Sequence, residues 1–319
     1  MIVRQESLYA LWDITRECNF NCSYCCSPRK NSRFARISGR RLSEALGENG
    51  KNWTIHISGG EPFLYPGFIE ICRELTKEFQ IKVNSNLSLN SEVVEFSNSI
   101  NPSRVELIET SLHIEERERL GNLEDFIRNV LSLKSRGFKV GVKAVLHPAL
   151  IERFQGDRQY LESRGVKLFP KPFKGSYSGK IYPKAYPAQI KEFLLSNTPG
   201  NPFYPFCFKG INCRAGKTFI RINLDGVVTR CLDDSAVLGN INDGFRLKDA
   251  PAPCRSYRCS CFGYDLITRK PFGKSESNYN LFCHFLSNLK YMSIRRFLSR
   301  TFPFIRRKED NLEKPYEPR

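Results

Sequence analysis

Short apolar stretches alternating with amphipathic ones organise the first half of the chain. Leu8–Thr15 (LYALWDIT) and Trp53–Ser58 (WTIHIS) are rich in apolar and β-branched residues and read as parallel strands buried on both faces. Gly67–Phe79 places Phe68, Ile71, Cys72, Leu75 and Phe79 at helical spacing, so Cys72 reads as a core residue. Strand Ile81–Val83 follows, then helix Ser91–Ser97, strand Arg104–Ile108 and the charged stretch Ile114–Arg119. A helix over Leu123–Lys134 stops at Gly137, strand Lys139–Leu146 reaches His147, and a helix over Ile151–Arg164 leads to strand Val166–Phe169. Six strands alternating with helices predict an α/β fold with a parallel sheet, whose ligands bind at the C-terminal strand ends. Residues 170–190, dense in Pro, Gly, Tyr and Lys, read as a substrate-facing loop or a bridge to the second domain. Farther on, Lys217–Asn223 and Val227–Thr229 flank Asp225-Gly226 and predict a hairpin.

Composition narrows the class. The 319 residues suffice for a barrel-sized domain plus a smaller one. Charges interrupt the first twenty residues, which excludes a secretory signal, and no apolar run is long enough to span a membrane. Twelve cysteines without an export signal point to metal binding in a reducing cytoplasm, not to disulfides. The net charge of +17 is concentrated. Residues 128–220 hold seventeen Lys or Arg against four acids, and Pro28–Arg41 adds six positive charges and no negative one. Such a balance favours an anionic substrate over a merely solvated face. No RNA-binding signature accompanies it, so nucleic acid is not expected.

The densest chemistry is Cys18-Asn-Phe-Asn-Cys22-Ser-Tyr-Cys25, three thiols on one loop after the first strand. A closed zinc site wants a fourth ligand. Cys26 adjoins Cys25 and points elsewhere, and the nearest histidine in sequence is His56. Three cysteines can instead hold a cubane cluster with one iron open. About thirty residues on, the second strand ends in Gly59-Gly60-Glu61-Pro62, where the glycines permit close approach of a ligand to the backbone.

These two motifs together resemble the radical S-adenosylmethionine (SAM) superfamily. The resemblance implies a partial (β/α)6 TIM-type barrel and a 4Fe-4S cluster held by Cys18, Cys22 and Cys25. It further implies a SAM site that includes Tyr24, Gly59, Gly60, Glu61, Pro62, Ser85, Asn86, Ser111 and His113. Ser85, Asn86, Ser111 and His113 read equally well as local turn chemistry. In that family one electron from the cluster cleaves SAM, and the resulting 5′-deoxyadenosyl radical abstracts a hydrogen atom from substrate. A flavodoxin or ferredoxin commonly supplies the electron.

The last 113 residues hold a second cysteine field: Cys207, Cys213, Cys231, Cys254, Cys259, Cys261 and Cys283. The run Cys213-Arg-Ala-Gly, Asp225-Gly226 and Cys231 resembles SPASM and Twitch domains, which carry auxiliary iron–sulfur clusters. The later C-x4-C-x-C spacing departs from a full SPASM domain and resembles the truncated one-cluster form. The implied ligands are Cys213, Cys231, Cys259 and Cys261, with Cys254 as substitute; a zinc ribbon is the alternative. Cys207, Cys254 or Cys283 would then be available as a hydrogen-donating thiol. The expected organisation is a barrel over residues 1–195, a small Cys-rich domain with the hairpin over 196–285, and a basic tail over 286–319. That tail reads as a helix docked on the barrel, or as weak contact with an anionic membrane surface. The cluster loop begins at residue 18, leaving no room for a leader-binding domain, so a small anionic metabolite such as a phosphorylated or nucleotide-linked sugar is the expected substrate. A ribosomal-peptide maturase is the alternative, and a non-catalytic metal scaffold the remote one.

Overall fold

The computed structural model describes residues 6–25, 36–198, 209–210 and 212–256. Cys26, Cys207, Cys259, Cys261, Cys283 and the 286–319 tail lie outside the described residues. No helix among the described residues is long and apolar enough to cross a membrane.

The expected alternation is present. Six strands, β1 (Leu8–Thr15), β2 (Trp53–Gly59), β3 (Gln80–Ser85), β4 (Val105–Ser111), β5 (Val140–Leu146) and β6 (Leu168–Pro172), pair parallel in chain order. Between them run α1 (Gly39–Gly47), α2 (Phe68–Leu75), α3 (Asn90–Ser99), α4 (Ile114–Leu120), α5 (Leu123–Ser135) and α6 (Phe154–Ser163). Three helices escaped the periodicity. Ser38 caps α1, accepting from the Arg41 amide; α4 is the stretch that looked merely charged; α7 (Ala188–Asn197) follows a short hairpin, β7 (Gly175–Tyr177) and β8 (Lys180–Tyr182), inside the stretch read as a loop.

The sheet is not buried apolar on both faces. Trp12, Ile14, Trp53, Ile55, Ile57, Ile81, Val83 and Ile108 are buried in the main core. The alternate positions carry Asp13, His56, Lys82, Glu109 and Lys143, with Tyr9 and Leu11 at the start of β1 packing instead in a second apolar cluster. Since strand side chains alternate between faces, the β1–β6 sheet is an apolar wall on one side and a charged, barrel-like interior on the other. The apolar run of β2 misled because His56, the one polar residue in its middle, is itself buried.

The C-terminal hairpin extends this same sheet. β10 (Phe219–Ile222) pairs parallel with β1, and β11 (Val227–Thr229), β12 (Val237–Asn240) and β13 (Gly244–Phe245) continue antiparallel to give ten strands. A separate ribbon joins β9 (Asn212–Cys213) to β14 (Ala252–Pro253).

Candidate active site at the C-terminal strand ends

The cysteine loop leaves β1 at Thr15 and is fixed from three sides. The Gly60 amide donates to the Thr15 carbonyl (2.7 Å) and the Glu61 amide to the Glu17 carbonyl (2.7 Å). A Cβ on Gly59 would lie 2.2 Å from the Thr15 carbonyl oxygen, and one on Gly60 2.1 Å from that of Glu17. The close approach that demands these glycines is therefore by the chain's own backbone, the segment that launches the cysteine loop. Pro62 opens a 3₁₀ turn, where its missing N–H is harmless.

On the second side, Asn86 Nδ2 donates to Asn19 Oδ1 (2.9 Å) and reaches 4.0 Å from Cys18 Sγ, while Asn19 Nδ2 donates to Ser88 Oγ (2.7 Å). The third side is α4. Glu116 accepts from the Asn21 amide (2.8 Å), and Glu115 from the Ser23 hydroxyl (3.5 Å). The acids of this charged stretch thus hold the loop.

Glu61 is buried, accepting from Ser85 Oγ (2.7 Å), the Asn86 amide (2.6 Å) and the Phe63 amide (3.2 Å). Burial lifts its carboxyl to about 7 despite those donors and the nearby Arg117 charge. Ser85 and Asn86 therefore join Glu61 in one hydrogen-bonded cluster under the loop.

Arg117, fully buried, lies beneath the same cluster. Its Nε donates to the Leu112 carbonyl (3.1 Å), its Nη2 to the Asn86 carbonyl, and the guanidinium stacks over Phe20 (4.8 Å) and Phe126 (4.2 Å). Nη1 is buried with no hydrogen-bond partner. Burial pulls this cation's pKa down to about 10, while the charges of Glu61, then Cys22 and Tyr24, act on it in the opposite sense.

Cys22 Sγ lies 3.2 Å from His113 Nδ1, and the Tyr24 hydroxyl is also 3.2 Å from that nitrogen. Tyr24 stacks between His113 and His147 (centroids 6.0 and 5.7 Å), and His147 meets Phe173 and Tyr177 edge-on. Burial holds His113 down to about 3, so the ring is neutral. The histidine beside the thiols is thus His113, brought in by the turn after β4. His56, the closer in sequence, faces Lys82 and Asn84 inside the sheet instead. Ser111 ends β4 opposite Lys143.

Burial first, then the charges of Cys25, Glu116 and Cys18, push the Cys22 thiol up to about 12. Cys22 is therefore a neutral thiol here, and ionising it beside the other two cysteines calls for a positive centre. Among the described residues no three His, Cys, Asp or Glu are gathered tightly enough to enclose a single metal ion. Tetrahedral zinc needs its sulfurs about 3.8 Å apart. In a cubane each iron takes its own thiolate, so the cysteines sit farther apart. Three cysteine donors on one clamped loop, above a guanidinium whose Nη1 lacks a hydrogen-bond partner, make a donor set that fits a cubane.

Of the second cysteine field, Cys213, Cys231 and Cys254 are described. Cys213 and Cys231 share an apolar cluster with Leu11, Ala215 and Phe219, and Cys254 bridges to Lys209 beside the β9–β14 ribbon. Buried Arg230, which carried no motif signal, ties this region together. Its guanidinium donates to the carbonyls of Ala215 (2.8 Å), Pro253 (2.7 Å), Cys213 (3.3 Å) and Ala252, and to Asp234 (2.9 Å). Replacing Arg230 by Met strands Asp234 and four carbonyls, and is expected to cost about 3–5 kcal/mol in urea unfolding.

Inside the sheet, Glu109 pairs with lysines of three strands, at hydrogen-bond distance with Lys143 (2.7 Å) and more loosely with Lys82 and Lys171. Burial alone would raise its carboxyl, but Lys143, Lys82 and Lys171 outweigh this and hold it down to about 2. A depressed carboxyl stabilises the fold fully above its unfolded value of 4.5 and loses that contribution as pH falls towards 2. Glu109→Gln is therefore expected to be less stable by about 3 kcal/mol at pH 7. In a pH series of urea titrations that gap should close between 4.5 and 2.

Residues 12–154 match the Radical SAM superfamily model. The chain is 25% identical over 175 residues to GTP 3′,8-cyclase of Helicobacter pylori strain HPAG1, a match covering 50% of this chain and 54% of that relative. The matched region thus spans about half the length of this curated relative. Among solved structures, anSMEcpe with bound AdoMet superposes with a TM-score of 0.54 at 17% identity, covering 75% of this chain and 78% of that one. SuiB from Streptococcus suis gives 0.50 at 16% identity, covering 71% and 60%. The likeness to the solved structures is one of fold, and within this chain residues 12–154 are the part that matches the Radical SAM superfamily model.

Proposed function

We propose that this protein is a SAM-cleaving enzyme that abstracts a hydrogen atom from an organic substrate, with Cys18, Cys22 and Cys25 holding a 4Fe-4S cluster. The observation that carries the reading is the clamped cysteine loop, seated at the C-terminal strand ends over a buried guanidinium with an orphaned donor. When bound, the cluster supplies the electron that splits SAM. The chain's own residues do the rest. Gly59, Gly60 and Pro62 bring the end of β2 against the loop, and Glu61 with Ser85 and Asn86 sets the floor on which SAM rests. Tyr24 and His113, stacked together, and Ser111 at the end of β4 would supply further contacts to SAM. Cys213 and Cys231, with Cys254, Cys259 and Cys261 as the remaining candidates, hold at least one auxiliary iron–sulfur cluster over a Twitch-like segment at 196–285. Such a cluster would accept an electron from the substrate radical, making the net reaction an oxidation (dehydrogenation or crosslinking), or would orient substrate; epimerisation would instead need a cysteine thiol that returns a hydrogen atom.

The substrate we favour is small and anionic, supported by the excess of positive charge over residues 128–220 and, at the level of a half-length match, by a relative named for GTP. Peptides occupy two of the structural neighbours, anSMEcpe with Cp18Cys peptide and SuiB with precursor peptide SuiA, but that likeness is one of fold. Reconstitution with iron and sulfide under anaerobic conditions, followed by dithionite and SAM, should yield 5′-deoxyadenosine by chromatography. A fully iron-loaded protein that neither binds SAM nor cleaves it would overturn the reading.

A further inference from the structure

His113 stands where a residue ordinarily caps a helix, and its side chain is turned to another use. It precedes α4 in a left-handed conformation, φ +48° and ψ +53°, and makes no capping hydrogen bond. Histidine enters that region several-fold more often than most side chains. The turn brings the imidazole against the cysteine loop, with Nδ1 3.2 Å from Cys22 Sγ and 3.2 Å from the Tyr24 hydroxyl. The residues two before and two after Cys22 fix the ring plane. Phe20 meets it edge-on (5.8 Å, 86°) and Tyr24 stacks on it (6.0 Å, 18°). One ring nitrogen is thus held against one of the three sulfurs by the loop that carries that sulfur.

In the thiol form two protic groups compete for this nitrogen. Cys22 S–H and Tyr24 O–H can each donate to a bare Nδ1, but its single lone pair accepts well from only one of them. Binding to iron removes the thiol proton and changes the balance. A lone pair facing a thiolate at 3.2 Å is repelled, whereas an N–H facing it makes a charge-assisted hydrogen bond. A neutral imidazole has one N–H to place, and its tautomer follows the stronger partner. A thiolate at Cys22 therefore selects the tautomer protonated at Nδ1, with the Tyr24 oxygen as acceptor at that nitrogen. Hydrogen bonds to the sulfurs are among the levers that set the potential of an iron–sulfur cluster. The reduced cluster carries one more negative charge than the oxidised one, so a donor at sulfur stabilises it more and the potential rises.

We propose that His113 is a positioning residue for the cluster, its Nδ1–H donating to the Cys22 thiolate and raising the cluster's reduction potential. This rests on the reading above that Cys22 is a cluster ligand, and it adds to that reading a determinant of how readily the chain takes up its electron.

The test is a potentiometric titration of the full-length reconstituted chain in the wild type, H113N and H113G. The reduced signal that SAM perturbs is followed by electron paramagnetic resonance. Asparagine tolerates the left-handed backbone and places an N–H near the position of Nδ1; glycine suits that backbone and has no donor. At a given potential H113G is expected to hold about tenfold less reduced cluster than the wild type, ~59 mV for a one-electron couple. H113N should keep a potential close to that of the wild type. Nitrogen-isotope labelling of histidine alone gives the second readout: pulsed measurements should show a weak nitrogen coupling to the reduced wild-type cluster, absent from H113N. A ring that merely packs predicts one potential for all three proteins, with only the melting temperature following the substitution. Should H113G load no cluster, the histidine coupling, compared between wild type and H113N, decides. A wild-type potential in H113G, an H113N potential as low as that of H113G, or no histidine coupling overturns the hydrogen bond. The cysteine triple variant keeps the two claims apart. A SAM-responsive signal that needs Cys18, Cys22 and Cys25 but ignores position 113 refutes only this inference. A loop that holds no cluster refutes the reading above and this inference with it.

Discussion

Alanine at Cys18, Cys22 and Cys25 together is expected to reduce 5′-deoxyadenosine formation to background while the protein stays folded. The three thiols lie on a loop whose backbone is held by other groups: the Asn21 amide by Glu116, Asn19 by Asn86 and Ser88, and the Glu17 carbonyl by the Glu61 amide. None of those contacts uses a cysteine side chain, so removing the sulfurs deletes the metal donors without cutting the clamp. Far-ultraviolet circular dichroism should be unchanged. Iron analysis should fall by about four per chain, the content of one cubane, and whatever iron remains counts the auxiliary clusters. Retention of all iron in the triple variant would place the cluster elsewhere.

Gly60→Ala is expected to damage the site through the backbone alone. The new methyl would sit 2.1 Å from the Glu17 carbonyl oxygen and 2.7 Å from its carbon, which are main-chain atoms with no rotamer to change. Relief requires moving the end of β2 away from the segment that carries Cys18. The Gly60–Thr15 and Glu61–Glu17 hydrogen bonds would break with it. Overpacking of this kind costs about 1–3 kcal/mol before the lost bonds are counted, which lowers Tm by about 5–10 °C in a chain of this size. Cluster loading should fall as well, because the loop loses one of its three anchors. A Gly60→Ala protein with wild-type Tm and iron content would show that the approach of these two segments is not needed. Gly47, around which a Cβ meets nothing within 4 Å, serves as the control position.

What could be read from residues alone follows the range of the interactions. Strands β1 to β6 were legible because an apolar or β-branched run is a local signal. The cysteine loop and Gly59–Pro62 were legible because each motif is contiguous and their order is fixed. The clamp was not legible. It links Asn21 to Glu116 across 95 residues, Asn19 to Asn86 across 67 and Asn86 to Arg117 across 31, and only the assembled sheet brings those pairs together. For the same reason α4 looked like a solvated charged stretch, although its Glu116 and Arg117 are buried under the loop. His113 was identified, but as a SAM contact; its approach to Cys22 depends on the left-handed turn it adopts after β4, with φ +48°. Arg230 had no signal at all, since its five partners are four backbone carbonyls and an aspartate four residues away. The charged interior was half legible: the excess of lysine could be counted, but not its convergence on Glu109.

The central claim is that the three-cysteine loop holds a cluster with an iron left open for SAM. Electron paramagnetic resonance of the dithionite-reduced, reconstituted protein tests it most directly, recorded with and without saturating SAM. The account predicts a reduced-cluster signal, absent from the Cys18/Cys22/Cys25 triple variant, whose line shape changes when SAM is added. A reduced-cluster signal that persists in the triple variant, or one that SAM leaves unaltered, would contradict it.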